Sequence, residues 1–472
     1  MALILPGNVA SATADAGYNI ANSCRFNFAD SATLKRTPSS ASNRRTWTFS
    51  VWVKRSKLGS LQVLWNGTTG GYPENIYFDA ADKLEYDHDI AGTDYTLTSS
   101  MVFRDVSAWY HIVIAKDTTD STEANRLKVY VNGTQITMNE TANGYPAEDF
   151  EGAINDDEEH VIGDWCSSGG CNSYFIGGYL AEITFIDGLQ LAATSFGEFN
   201  SDSPTIWQPI DVSGLTFGTN GFYLDFEDSG DLGDDESGNG NDFTEANLAA
   251  ADQATDTPTN NFCTFNPLDN YYPSATFSEG NMQVQTDSSA YTYTTSTFGV
   301  STGKWYWEVE YDAKSGGSDW ALVGITSNQS ENNNSNWLGE NQYDYSYYGL
   351  TGVTYTNNGS ATYGNTFAPG DIVGVALNID DNEIKFYKNN TVQNSGTAIS
   401  IAAASSGNLG VYIPAICFFD ASYNGTFKGN FGGCSAFAIS SAAADGNGYG
   451  AFEYAPPSGF YALCTKNLAE YG

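Results

Sequence analysis

Glu308, Glu310 and Asp312 recur at every second residue of "GKWYWEVEYD" (303–312), so a strand puts all three carboxylates on one face. Two such groups can flank a scissile glycosidic bond about 5 Å apart once the strand bends, which makes polysaccharide hydrolysis one chemistry to weigh. The acidic runs "INDDEEH" (154–160) and "LGDDESGNGND" (232–242) offer the hard oxygen donors that Ca²⁺ takes, with Asp234, Asp235, Asn239 and Asp242 as the candidate metal ligands. Their spacing is not that of an EF-hand, and solvated acidic loops explain both runs equally well. The segment "NWLGENQYDYSYYGLTGVTYTNNG" (336–359) sets Trp337, Tyr343, Tyr345, Tyr347, Tyr348 and Tyr355 among Asn341, Asp344 and glycines. Aromatic faces beside amides and carboxylates suit a carbohydrate or peptide ligand, whereas a strand packing alternate tyrosines into a core has the same sequence. Of the three histidines, His88, His111 and His160, the second lies inside an expected strand and reads as structural. No serine-nucleophile, metalloprotease or phosphate-cradling motif stands in a suitable context.

The elements that must carry these residues are strands. In 303–311 a period of two puts Trp305, Trp307, Val309 and Tyr311 on an apolar face, and Lys304, Tyr306, Glu308 and Glu310 on a wet one, as in a strand lining a sandwich core. Aromatic residues make up 14% of the chain, glycine is abundant, and the periodic segments are short and broken by Gly, Asn and Asp, an all-β composition. At 472 residues there is room for two or three domains. The formal net charge of -37, from 56 acidic against 19 basic residues, repels phosphate backbones and anionic headgroups, which excludes nucleic-acid binding and membrane insertion as expected partners. The start, "MALILPGNVASATADAGYNIANSCRF", lacks a basic n-region and is broken by Pro6, so no export signal is expected. Seven cysteines imply no disulfide framework and are read as free thiols; "CSSGGC" (166–171) offers a small closed loop or a metal clip as alternatives.

Two blocks follow along the chain. In residues 23–245, "TWTFSVWVK" (46–54) and "AWYHIVIAKD" (108–117) are expected as central strands. "RLKVYVNGTQI" (126–136) reads as a hairpin turning at Asn132-Gly133, and "IGGYLAEITFIDG" (176–188) as a strand leading into a short helix at "LQLAATSFGEF" (189–199). "FSVWVK", "LKVYVNG" and "YLAEITFIDGLQL", in this order, resemble the laminin G or concanavalin A-like domain. Residues 228–261 read as a linker or acidic loop, with the inter-domain linker placed at 246–270. Residues 271–434 carry the tryptophan-rich strand, "DWALVGIT" (319–326), "GDIVGVALNID" before "IKFYKNN", "YIPAI" and a closing "NFG". This block is identified as a member of the SPRY (B30.2) family. That resemblance implies a β-sandwich, partner binding through edge loops, and an ordinary, non-catalytic Trp-Glu-Val-Glu run. The expected architecture is thus all-β: two concanavalin A-like sandwiches in tandem, between an amino-terminal arm (1–22) and a carboxy-terminal tail (435–472).

Both modules resemble non-catalytic recognition domains, and "LPGNVASATADAGYNIANSCRF" with "GFYALCTKNLAEYG" resembles the ends of virion proteins of tailed marine phages carrying the same two modules. The expectation is a non-enzymatic virion protein, a fibre, appendage or capsid decoration, anchored by its ends among other virion proteins. A homotrimer would add avidity for a host-surface glycan. A tail-associated depolymerase and a secreted or surface bacterial adhesin remain the alternatives.

Overall fold

The alternation of residues 46–54 is realised in the strand Thr46–Arg55, whose Trp47, Phe49, Val51 and Val53 enter an apolar core. It pairs antiparallel with Tyr110–Asp117 on one side and Gly178–Asp187 on the other. Asn132 and Gly133 both have positive φ, 46° and 77°, the signature of the type I′ turn. Glycine is required there twice over, since a Cβ would lie 2.2 Å from the Trp207 ring. These strands belong to one of two eight-stranded antiparallel sheets, ordered Thr134–Gln135, Leu127–Val131, Tyr110–Asp117, Thr46–Arg55, Gly178–Asp187, Ser23–Phe26 and Gln253–Ala254, with Phe222–Leu224 also on Gly178–Asp187. The other sheet runs Met138–Ala142, Thr93–Val102, Lys83–Ile90, Tyr72–Phe78, Gln62–Thr69, His160–Ile162, Thr33–Arg36 and Thr244–Ala246. Trp65 stacks on Phe49 at 4.8 Å and meets Phe185 edge-on at 4.7 Å, closing the core between the sheets.

The computed structural model describes residues 3–5, 17–167, 170–171, 174–270, 275–329 and 336–472. The chain divides into two units: a first of Ala14–Thr259, and a second of Met1–Thr13 with Asn260–Gly472. Within the first core lies a fully buried ion pair, Lys116 Nζ to Glu74 Oε1 at 2.6 Å. The Tyr86 hydroxyl (2.5 Å) and the Ile154 N–H (2.8 Å) also donate to the Glu74 carboxylate. Gly152 passes so close that a Cβ there would fall 2.0 Å from Glu74 Oε2.

The second unit pairs a seven-stranded sheet with a nine-stranded one. The former runs Phe265–Asn270, Tyr293–Ser296, Ile413–Phe418, Ala321–Thr326, Asp344–Tyr348, Val353–Thr356 and Gly359–Thr362. In the latter, Lys304–Lys314 lies between Gly425–Asn430 and Asp371–Asn378. Trp305, Trp307, Val309 and Tyr311 all enter the core, as their period of two requires. An aromatic burying 150–250 Å² contributes roughly 4–6 kcal/mol of transfer free energy at ~25 cal/mol/Å². This strand therefore anchors the unit.

Four expectations are corrected. The segment 189–199 forms only a 3-10 turn, Ala193–Ser195, before Gly197–Phe199 pairs with Trp207–Pro209, because Trp207 needs a hairpin to reach His111. Residues 246–270 are no linker: Gln253–Ala254 completes the first sheet of the first unit beside Ser23–Phe26, and Phe265–Asn270 is an edge strand of the second unit. Cys166 is disulfide-bonded, and the strand residue opposite it across a two-residue ladder is Cys171, whereas Cys24, Cys263, Cys417, Cys434 and Cys464 are free thiols. The anchoring arm placed at 1–22 is, in its described residues, bonded within the two units. Ile4 bridges Phe298 in parallel within the second unit, and the N–H of Ile20 donates to Thr259 in the first.

The face of Lys304–Lys314 expected to be wet is also covered. Tyr461–Ala462 runs parallel to Trp305–Tyr306, and Tyr306 packs with Phe262, Ala376, Phe452, Ala462 and Cys464. The tail ends in the helix Thr465–Tyr471, whose Asn467 shares the Asp445 carboxylate with the N–H of Ala462.

Candidate functional site

Glu308 is completely buried beneath that tail. Its Oε1 accepts from the Tyr454 N–H (2.8 Å) and the Tyr306 hydroxyl (3.1 Å), and its Oε2 from the Glu453 N–H (2.9 Å) and Asn430 Nδ2 (3.1 Å). Burial outweighs these donors and pushes the carboxyl up to about 7. Glu310 and Asp312 both face Lys428, at 3.9 and 2.7 Å. Clasping backbone amides beneath the tail, Glu308 cannot reach a sugar, and a hydrolytic pair that includes Glu308 fails on access.

Ser50 Oγ and His111 Nε2 stand 2.8 Å apart, the spacing of a nucleophile and its base. The tautomer is wrong for that task. Trp207 Nε1–H donates to His111 Nδ1 at 2.9 Å, and complete burial pushes the imidazole down to about 3, so the ring is neutral and carries its proton on Nε2. Nε2 then donates to the serine instead of removing its proton. Trp52 stacks on the same ring at 4.6 Å, making His111 a bracket between strand and hairpin.

The aromatic segment of the second unit is mostly core. Tyr345, Tyr347, Tyr348 and Trp337 are buried, Tyr347 wholly so, and Tyr343 is half-buried against the same core. Asp344 is sealed in, accepting from Thr326 (2.7 Å), Asn328 (2.8 Å) and the N–H groups of Gly339 and Asn341. Asn341 itself donates to Asn336. The expected ligand platform is therefore corrected to a core strand with a side-chain-bonded turn, since alternate tyrosines meet Phe367, Phe386 and Tyr412 inside.

The proposed calcium ligands do come together, but as a scaffold. Asp235 spends both oxygens on the N–H groups of Tyr223, Ser237 and Asn241 and on the Ser237 hydroxyl, all within 2.8–2.9 Å. Asp242 accepts from the Asp235 N–H, Asn239 ties the loop to the carbonyls of Gly218 and Gly221, and Asp234 stands half-buried. The positive charge at this loop comes from Arg36, whose guanidinium donates to Asn220 O (3.2 Å) and to Asn241 Oδ1. Burial lowers its pKa while Asp235 and Asp242 hold it up. Among the described residues no group of three or more His, Cys, Asp or Glu side chains gathers to hold a metal. Asp235, the most heavily bonded of the four, has both oxygens engaged by backbone amides and the Ser237 hydroxyl, which leaves it no free oxygen face for a cation.

What this loop does build is a groove of about 620 Å³, open to solvent, between the end of Thr33–Arg36 and the turn at 240–244. Lys35 and Arg36 form its floor with Thr37 and Ser39, and Glu159, Asn241, Asp242 and Thr244 form its walls. Lys35 pairs with Glu159 at 3.7 Å and lies opposite Thr244 in the ladder. Sequence reasoning reached Asp242 and missed the rest. The hydroxyl-rich "KRTPSS" at 35–40 was the available signal, but the residues meeting it lie 120 to 205 positions away.

Each unit is thus a β-sandwich, and each contains a stretch matched by a family model. Residues 29–184 match the concanavalin A-like lectin/glucanases superfamily, and residues 304–433 match the SPRY domain. Among solved structures, the SPRY domain of human HERC1 is similar to 37% of this chain over 99% of its own length, at 17% identity and a TM-score of 0.28. A putative carbohydrate binding protein from Bacteroides ovatus is 14% identical over 48% of this chain and 58% of its own, at a TM-score of 0.33. A heptameric SAP-like pentraxin from Limulus polyphemus is 15% identical over 37% of this chain and 80% of its own, at 0.28. No curated protein sequence matches the chain. The chain thus carries a concanavalin A-like domain and a SPRY domain.

Proposed function

We propose that this chain is a non-catalytic recognition protein of a bacteriophage particle, assembled in the host cytoplasm, released by lysis, and presenting its domains to a glycan on the host surface. The observation that carries the reading is the contrast between sealed and open polar groups. Glu308, Asp344 and the Ser50–His111 pair are all spent inside the fold, while a polar groove on the first unit stays open. Open polar grooves on rigid β-scaffolds serve binding. The likeness of the terminal stretches to virion proteins supports the location. The end residues that are described pack on their own units, so attachment to other virion proteins falls to exposed loops. Homotrimerisation would multiply a weak single-site affinity.

The test is to purify particles from a lysate of the source host, identify this chain by mass spectrometry, and locate it with a gold-labelled antibody. Stoichiometric presence on the particle is the expected result. Recovery only in the soluble fraction overturns the virion assignment and moves the chain to the secreted adhesins.

A further inference from the structure

The charges lining the groove of the first unit are satisfied from within. Lys35 is matched by Glu159, and Arg36 donates to the Asn220 carbonyl and the Asn241 side-chain oxygen. An incoming carboxylate or sulfate would find Lys35 already paired and these guanidinium donors engaged, and would face Glu159 and Asp242 on a chain of net charge -37. The groups left to bond a ligand are hydroxyls and charged heads whose outer sides meet water: Thr37, Ser39 and Thr244 are exposed, as are Glu159 and Asp242. Such a surface alternates donors and acceptors over a few ångströms. That pattern complements vicinal hydroxyls, each of which donates and accepts at once.

Among the described residues no aromatic side chain lines the groove, so no described ring there stacks on a sugar CH face or an apolar peptide side chain. Binding then rests on hydrogen bonds. The groove's volume of about 620 Å³ falls within the ~300–1,000 Å³ usual for small-molecule sites.

From this geometry we infer that the groove beside Arg36 is a subsite for a neutral, hydroxyl-rich saccharide and discriminates against acidic sugars. The inference rests on the recognition reading above and adds the ligand class and the residues that set it. Selectivity comes from the pairing of Lys35 with Glu159 and from the engagement of the Arg36 guanidinium by Asn220 and Asn241. A carboxylated ring would have to displace one of these partners to bind.

The experiment titrates the full chain with three purified oligosaccharides, a dextran oligomer, a mannan oligomer and an oligogalacturonate, by saturation-transfer NMR and calorimetry. Ser39→Trp fills the groove from an exposed position, and Thr244→Arg does so from the opposite wall. The expected result is binding of at least one neutral oligomer that weakens about tenfold or more in both variants, equal to ~1.4 kcal/mol. It should change less than about twofold between low and high salt, because no net charge is exchanged. Oligogalacturonate should bind at least about tenfold more weakly. Tighter, salt-sensitive binding of oligogalacturonate that the variants abolish overturns the neutral class while leaving glycan recognition standing. Neutral binding that survives both variants overturns the groove as its site, and binding of none of the three oligomers overturns the subsite altogether. None of these outcomes bears on whether the chain is found on particles, which the gold-labelling experiment decides separately.

Discussion

Above pH 7, where Glu308 is ionised, replacing it by Gln isolates what the buried carboxylate does. Four donors converge on its two oxygens, two of them the backbone N–H groups of Glu453 and Tyr454. An amide keeps one acceptor oxygen and turns the other into an NH₂ donor. If the amide nitrogen takes the Oε1 position, the Tyr306 hydroxyl rotates to accept from it, but the Tyr454 N–H loses its only acceptor at that site. The opposite rotamer strands the Glu453 N–H, since Asn430 is held by Ala451 O and the Gly432 N–H. One orphaned buried donor costs about 1–3 kcal/mol. The middle of that range, ~2 kcal/mol, is roughly a 30-fold change in an opening equilibrium at 1.4 kcal/mol per decade. The cost falls on tail docking, because the strand Lys304–Lys314 keeps its two ladders. Amide hydrogen exchange across residues 451–463 should therefore quicken about 30-fold while exchange in 304–314 hardly moves. Glu310→Gln, at a half-buried position beside Lys428, serves as the control and should leave the tail within about threefold of wild type. Equal protection of residues 451–463 in wild type and Glu308→Gln refutes the clasp.

Burial pushes Asp87 and Glu308 up to about 7 and Glu182 to about 8, so these groups keep protons that the unfolded chain has released, and stability falls as pH rises from the ordinary carboxylate range through 7–8. The three histidines, all in the first unit, are pushed down to about 4, 3 and 4 and give the opposite slope, losing stability as pH falls below their ordinary value. Unit-resolved hydrogen exchange should thus find the second unit weakening steadily from pH 5 to 8 and the first most stable near neutrality. Lys116→Met strands the Glu74 charge and should cost ~3–5 kcal/mol in denaturant unfolding, with most recovered in the Lys116→Met/Glu74→Leu double variant. Trp207→Phe removes the donor to His111 Nδ1, should cost about 1–3 kcal/mol, and should free the ring to change tautomer; an Nδ1–H form in the wild type by NMR would contradict the hydrogen-bond assignment. Cys24, Cys263, Cys417, Cys434 and Cys464 should alkylate in denaturant without reductant, and Cys166 only after reduction.

The strands legible in sequence were those with one apolar face and an unambiguous alternation, Thr46–Arg55 and Lys304–Lys314 above all. Period two gives a face but not what covers it. In 343–348 Tyr343, Tyr345 and Tyr347 share one phase, and the pattern could not say whether that aromatic face meets a core or a ligand. The tail's two-residue parallel pairing with Trp305–Tyr306 leaves no periodic trace, and the apparent wetness of Glu308 followed from not seeing it. The groove escaped for a related reason: its walls are joined only by the pairing of Thr33–Arg36 with Thr244–Ala246, a register that single-chain patterning does not encode. The acidic loop was found, but not that Arg36, some 200 residues away, bonds to its Asn241.

The division of the chain gives its synthesis an order. Met1–Thr13 belongs with Asn260–Gly472, so the first sandwich is a guest spliced into a loop of its host. As the chain leaves the ribosome the guest can close as soon as residues 253–254 have emerged to complete its sheet, whereas Ile4, made before the guest, must wait for Phe298. The host strand Lys304–Lys314 is covered later still, when Tyr461–Ala462 arrives beside Trp305. Truncation near the carboxy terminus would therefore leave a closed guest on an unsealed host, with Tyr306 and Glu308 laid open.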